Sequence, residues 1–473
     1  MTVKTVLICL LTATTVFAVP AAPGQTSEQP LGPRPRHLTI FVTGNELGSM
    51  KPCGCSGGQL GGLDRRYAVL NAVGPQNRLI IDTGSLVSES TEQNLIKFSI
   101  IVQAFAQLGY DVVNLTEQDI VIARQAGLLD GLSLLFNCIT ANSPDDIKLP
   151  AKFTKKFTLN GVVIESTVVA AETEDQVSLL PDLFSSTAAE SPSTVNILIL
   201  NRADAKTVAT VSEMNLFDLL IVPPQSDEPM LVSDANAGPL VISSGRIGKY
   251  VGKIQAIFDG AGQKPRLVFT SVPVTEDIPQ HQPLVELYKD YQRLVKDANI
   301  IEKQPRFILP GNLEYVGSKY CKLCHDYEYE KWMTSKQVFI PGLSKQASPD
   351  SWHADAFATL EKVNSEYDPE CVVCHVVGMQ YQTGYISPAK TPELKDVGCE
   401  NCHGPGSEHL RSLGAIETSG PMSTCSDCHT DEHSGEYVAN QKQYFEKIIH
   451  WREPVSRFKV KEPNNPPVRN ISK

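Results

Sequence analysis

Four copies of Cys-x-x-Cys-His crowd the last third of this 473-residue chain. They are Cys321-Lys322-Leu323-Cys324-His325, Cys371-Val372-Val373-Cys374-His375, Cys399-Glu400-Asn401-Cys402-His403 and Cys425-Ser426-Asp427-Cys428-His429. Two thiols at this spacing add across the vinyl groups of a haem, and the adjacent His is carried under the ring to bind iron. With 12 Cys and 10 His in the chain, random order would give about 0.006 copies. A zinc knuckle also uses Cys-x-x-Cys, but zinc does not require a His directly after every second Cys, and all four pairs have one. The implied cofactors are four covalently attached haem c groups, with His325, His375, His403 and His429 as proximal iron ligands.

A haem held by one His takes a second axial ligand or keeps an open site, and that choice divides electron carrier from catalyst. The other imidazoles of the segment are His353, His409, His433 and His450. His433 lies four residues after His429, and His409 six after His403, too near to reach the opposite face of their own haems. Either would bind iron across to a neighbouring haem and lock the two together. His353 sits in a good helical stretch, 352–360, from which it can project onto a ring. Met333, Met379 and Met422 are alternatives, although Met more often packs.

A second thiol pair stands far from these motifs, in Lys51-Pro52-Cys53-Gly54-Cys55-Ser56-Gly57-Gly58-Gln59-Leu60-Gly61-Gly62. Two thiols one residue apart bind a soft metal together or form a strained, easily reduced disulfide. The plainer readings are a flexible loop, or one Cys paired quietly with Cys138. Cys138 by itself reads as core packing. With Cys9 in an early apolar run and eight cysteines in haem motifs, this is not a disulfide-framework protein.

The elements that must position these residues fall into two kinds. From His37 short apolar strands (38–43, 78–82, 111–115, 134–138, 195–200 and 218–222) alternate with amphipathic helices such as 93–108 and 205–215, the pattern of an α/β layered domain. The pattern fades near 262. Residues 283–299 read as one charged amphipathic helix within a linker, 263–310. The segment 311–455 holds all four motifs and few aliphatic runs, so the porphyrins would themselves be its core. The tail, 456–473, is basic and rich in Pro and Asn and reads as loose.

Residues 1–18 read as a secretory signal, with Lys4 as the positive end, an apolar run from Thr5 to Phe17 and a small-residue cleavage site at Val16-Phe17-Ala18. That run is too short to span a bilayer, and 19–36 is a Pro-, Gly- and Ser-rich leader. A periplasmic or extracellular location is expected, which is where bacteria attach c-type haem. The formal net charge of −11 argues against nucleic acid or an anionic membrane surface as partner, and suits docking to a basic redox protein.

The haem segment resembles the cytochrome c-554 type of tetrahaem cytochrome. The resemblance rests on the motif at 321–325, Trp332, His353-Ala354 with Ala356 and Leu360, the motif at 371–375 followed by Gly378, and Gly398-Cys399-Glu400 through Cys402-His403-Gly404-Pro405-Gly406 with His409. It implies a mostly helical fold, closely stacked haems and multi-electron transfer in the periplasm, first described as accepting electrons from hydroxylamine oxidation. By position it implies His353, His409 and a late His, His450, as distal ligands, and one five-coordinate haem, which leaves His433 without an iron. Extra residues between Trp332 and His353 depart from that pattern.

Residues 37–260 resemble the calcineurin-like metallophosphoesterases of the 5′-nucleotidase kind. The matching stretches are 38–43, Gly61-Gly62-Leu63, 79–84, 108–115 and Gly245-Arg246-Ile247-Gly248-Lys249-Tyr250-Val251-Gly252. Those enzymes hold two metals with Asp-x-His, Gly-Asp, Asn-His-Glu and late histidines. Here the corresponding positions read Asn45-Glu46-Leu47, Gly84-Ser85 and Glu117-Gln118-Asp119, and no His occurs between His37 and His281. Loss of the imidazoles and the bridging carboxylate removes the reason to bind metal tightly.

The resemblances together imply a multidomain chain. A metallophosphoesterase-like β-sandwich flanked by helices (37–262) is followed by a mostly α multihaem cytochrome c domain. The expected function is electron transfer between redox partner proteins, with the inactive α/β domain docking a partner or hosting a metal or redox site at Cys53 and Cys55. The alternative is a multihaem oxidoreductase acting on a small nitrogen or sulfur compound at a five-coordinate haem.

Overall fold

The computed structural model describes residues 36–52, 58–184, 193–234, 238–259, 264–334, 353–418, 425–430, 433–448 and 450, which belong to one compact unit. The expected signal segment and leader, the tail 456–473, and Cys53 and Cys55 lie outside the described residues.

Among the described residues twelve strands build two sheets: β1 (Arg36–Thr43), β2 (Arg78–Asp82), β3 (Val112–Asn114), β4 (Asn137–Ile139), β5 (Lys152–Leu159), β6 (Val162–Ala171), β7 (Ser193–Leu200), β8 (Leu219–Val222), β9 (Met230–Ser233), β10 (Leu240–Ser243), β11 (Tyr250–Phe258) and β12 (Arg266–Pro273). The first sheet runs β12-β11-β1-β2-β3-β4 and the second β5-β6-β7-β8-β10-β9. Their centres are parallel, with Thr43 opposite Asp82 and Ile81 opposite Val112, while β11, β12, β5 and β9 join antiparallel.

Strand alternation sorts the side chains into layers. Ile40, Val42, Ile81 and Val112 face the second sheet and meet Val168, Ile197, Ile199 and Ile221. Phe41, Ile80 and Val113 face outward, onto α1 (Leu63–Leu70), α2 (Glu92–Leu108) and α3 (Glu117–Gln125). On the far side, α4 (Glu174–Phe184) and α5 (Ala205–Glu213) cover Val169, Leu198 and Leu220 through Val177, Leu180 and Val211. The result is a helix–sheet–sheet–helix stack, the layered sandwich the sequence implies.

Three boundaries differ from expectation. Residues 129–134 form a 3₁₀ turn with Leu134 exposed, so the strand expected at 134–138 is β4, three residues long. The hairpin β5–β6 is absent from the sequence expectations; it turns at Asn160-Gly161, both at positive φ, the signature of a primed two-residue turn. The segment read as a linker, 263–310, adds β12 to the first sheet. It also carries α6 (Gln282–Ala298), whose Leu284, Leu287, Tyr291 and Val295 pack into the first helical core. The α/β layers therefore extend past 262, because the 3-4-4 spacing of those four residues makes a helical stripe that must be buried.

Beyond 311 the regular elements among the described residues are short helices and 3₁₀ turns, followed by one longer helix, Gly435–Ile448. A small apolar cluster, with Phe357, Leu360, Val372, Val377, Met379 and Tyr385, forms the core of this segment among the described residues. Met379 is thus packing, while Met422 lies outside the described residues.

Candidate haem-binding site

Each Cys-x-x-Cys-His motif folds as about one helical turn, which brings residues i, i+3 and i+4 to one side. The backbone N–H of His325 donates to the Cys321 carbonyl at 2.9 Å, and that of His429 to the Cys425 carbonyl at 2.8 Å. The helix leading into the second motif starts at Pro369, with the Asp368 side chain accepting from the Glu370 N–H. The third is anchored from within. The Glu400 carboxylate, buried, accepts from the backbone N–H groups of Val316, Gly317 and Gly406, tying the approach to the first motif onto the third.

The non-motif imidazoles meet the proximal ones. Ring centres are 6.0 Å apart for His325 and His409, 6.2 Å for His429 and His353, and 6.0 Å for His403 and His450. A metal–imidazole bond of about 2.0 Å, plus roughly 1.1 Å from that nitrogen to the ring centre, would put two imidazole centres sharing one metal between them about 6.2 Å apart. Each pair is thus spaced to hold one iron between its rings, and each joins different motifs or segments. The Nδ1 atoms of His409 and His450 lie 2.8 Å from the Ile416 and Ile448 carbonyls, which leaves Nε2 for a metal. Burial, then the neighbouring His429 and His375 rings, pushes His353 down to about 4, keeping it in the neutral form that binds metal.

His375 is different. Its Nδ1 lies 2.6 Å from the Ala356 carbonyl, an orienting contact of the same kind, but among the described residues no imidazole pairs with it at ligand spacing. Burial first, and then the nearby His433 ring, depress His375, while the His433 Nδ1 is engaged 2.8 Å from Thr430 Oγ1.

Thiols of different motifs also approach one another: Cys321 touches Cys399, Cys374 touches Cys428, and Cys402 lies near Cys425. These contacts put the first motif beside the third, the third beside the fourth and the fourth beside the second. All eight thiols are free of disulfides. Thiols, paired imidazoles and the carbonyls that orient them together fit covalently attached haem c.

At the carboxyl ends of β1 and β2 a different polar cluster occupies the place where the resemblance implied two metals. Arg66 of α1, fully buried, forms a very short ion pair with the buried Glu46 and donates to the Tyr110 hydroxyl at 3.1 Å. Tyr110 lies 2.7 Å from the Thr43 hydroxyl, which donates to Asp82 at 2.7 Å. Gly248 sits at φ +63°, and a Cβ there would collide with the Arg66 guanidinium. Asp119 accepts from the Ser85 and Leu86 N–H groups and from Thr116, a loop-fixing role. Asn45 donates to Ser244 at 3.1 Å. Among the described residues no group of three or more His, Cys, Asp or Glu is arranged to hold a metal. Arg66 and Tyr110 are not legible in the sequence, because an Arg inside an amphipathic helix looks like surface.

Cys138 is buried in the first helical core, and burial pushes its thiol up to about 12. The loop carrying Cys53 and Cys55 leaves the described residues beyond Pro52. On its flanks the Lys51 ammonium lies 5.4 Å from the centre of the Tyr288 ring, and the Gly58 N–H donates to Glu276 at 2.9 Å.

Residues 320–404 match the family described as cytochrome c554 and c-prime. Cytochrome c-554 of Nitrosomonas europaea is 31% identical over 122 residues, which cover 24% of this chain and 49% of that protein. The chain thus spans about half the length of that curated relative. Among solved structures, the calcineurin-like phosphoesterase YfkN from Bacillus subtilis is similar with a TM-score of 0.43 and 15% identity, covering 55% of this chain and 98% of that one. A 5′-nucleotidase precursor from Thermus thermophilus gives a TM-score of 0.42 and 15% identity, over 57% and 61% of the two chains.

Proposed function

With a cytochrome c554-type segment at 320–404 as premise, we propose that this chain is a tetrahaem c-type cytochrome that relays electrons outside the cytoplasm. The observation that carries the reading is the set of three imidazole pairs at 6.0–6.2 Å, each opposing a motif His to a distant His. Bound haem supplies reversible one-electron chemistry at iron. This chain's residues do the rest: eight cysteines attach the rings, and His409, His450 and His353 close the irons of the first, third and fourth motifs. Carbonyls of Ala356, Ile416 and Ile448 set imidazole orientation. The thiol contacts support a relay order of first, third, fourth, second.

The second motif, at His375, ends that order and is the candidate five-coordinate iron. On the oxidoreductase reading, a small nitrogen or sulfur compound would bind there. No helix of the described residues is long and apolar enough to cross a membrane. The α/β layers serve as a docking body, and Cys53 and Cys55 as a soft-metal or redox site beside it. Haem content by alkaline pyridine spectra, with carbon monoxide titration of the reduced protein, tests the proposal. Four haems and one carbon monoxide per chain are expected. Any other haem count overturns the tetrahaem reading, and no gas binding removes the open iron and with it the oxidoreductase alternative.

A further inference from the structure

The loop 363–368 links the helix Ala356–Lys362 to the helix Pro369–Val372. It lies between the two holds on the second haem: in the helix before it the Ala356 carbonyl orients His375, and in the helix after it Cys371 is an attachment thiol. Between them, the α/β layers grip it. Tyr291 donates to Asp368 Oδ2 at 2.8 Å, and Gln93 donates to Asp368 Oδ1 at 2.9 Å and to the Tyr291 hydroxyl at 2.9 Å. Gln292 donates to the Val363 carbonyl at 2.7 Å and to Ser365 at 3.1 Å. Lys97 Nζ donates to both oxygens of Glu370, next to Cys371, at 2.6 Å.

These groups are not surface decoration. Gln93, Lys97, Tyr291, Gln292, Ser365 and Asp368 are all buried. Lys97 is a desolvated cation in the middle of α2, whose Phe98, Ile101 and Phe105 are locked in the first helical core. A buried cation persists only where its pairing is well built, and here its partner belongs to the haem segment. Lys97 offsets the Asp368 and Glu370 carboxylates that face Cys371, and a cation offsetting carboxylates beside a redox centre favours the reduced state, because reduction lowers the positive charge it faces.

We propose that α2 and α6 position the second haem, with Lys97 and Tyr291 as positioning residues that set its potential and the reactivity of its open face. The proposal rests on the reading of His375 as the open iron. It gives the α/β layers a function without phosphoester chemistry, as a rigid clamp tuning one haem of four.

The test is a spectroelectrochemical titration of full-length holoprotein, with carbon monoxide rebinding after photolysis, on Lys97→Met, Lys97→Arg and Tyr291→Phe. Lys303→Ala, which breaks an exposed pair with Glu92, is the control. The expected result is a lower potential for the carbon monoxide-binding haem alone in Lys97→Met, restored in Lys97→Arg, and at least a threefold change in rebinding rate in Tyr291→Phe. Should Lys97→Met fail to fold, Tyr291→Phe, which removes one oxygen and no packing volume, decides. Equal shifts in all four haems, or none, overturn the clamp while leaving the open iron intact. Absence of gas binding in the parent protein overturns both the open iron and the clamp's role in its reactivity.

Discussion

The Glu46–Arg66 pair offers a sharp test of what has replaced a metal site. Both side chains are essentially inaccessible, and among the described residues Glu46 Oε2 and Arg66 Nε have no hydrogen-bond partner. Arg66→Met therefore strands a fully buried carboxylate beside Thr43, Asp82 and Tyr110. Removing one partner of a buried pair costs about 3–5 kcal/mol, whereas replacing both with apolar groups of similar volume is far milder. At roughly 2–4 °C per kcal/mol for a domain of this size, Arg66→Met should lower Tm by about 6–20 °C. Glu46→Gln should cost less, because Arg66 keeps Tyr110. Glu46→Leu combined with Arg66→Met should recover about 2–3 kcal/mol relative to the sum of the single changes. Far-UV circular dichroism reads the α/β layers through thermal melts, and haem spectra should be unchanged throughout. Additive single costs below about 1 kcal/mol would refute a structural ion pair here.

Two other perturbations follow from the same geometry. His353→Ala removes the imidazole opposite His429, so the carbon monoxide stoichiometry of the reduced protein should rise from one to two per chain; an unchanged stoichiometry would separate His353 from that iron. Burial first, and then the charge of Glu46, raises Asp82 to about 7. A raised carboxyl keeps its proton in the folded state after the unfolded chain has lost it. Its contribution is therefore complete below about pH 4 and fades as pH rises through 7, by up to about 4 kcal/mol. Asp82→Asn should flatten stability over pH 4–7 in urea titrations; an unaltered slope would contradict the buried acid.

Much of this was legible in the chain. Motif spacing fixed the cysteines and proximal histidines, because covalent attachment is local. The sheet strands 38–43 and 78–82 were legible because burial on both faces makes a strand a continuous aliphatic run. The distal pairing was less so. His325 and His409 are joined by tertiary packing, through Glu400 and its three backbone donors, which no local pattern reveals. Strands β5 and β12 escaped because their exposed faces dilute the apolar signal. Lys97 and Tyr291 were hidden for another reason. A Lys and a Tyr on amphipathic helices look solvated until the haem segment packs over them.

Electron paramagnetic resonance of the fully oxidised protein, with spins quantified against haem content, tests the central assignment most directly. Three imidazole pairs and one unpaired His375 predict three low-spin irons and one high-spin iron per chain. Four low-spin irons would contradict it, and would point to His433 as the ligand opposite His375.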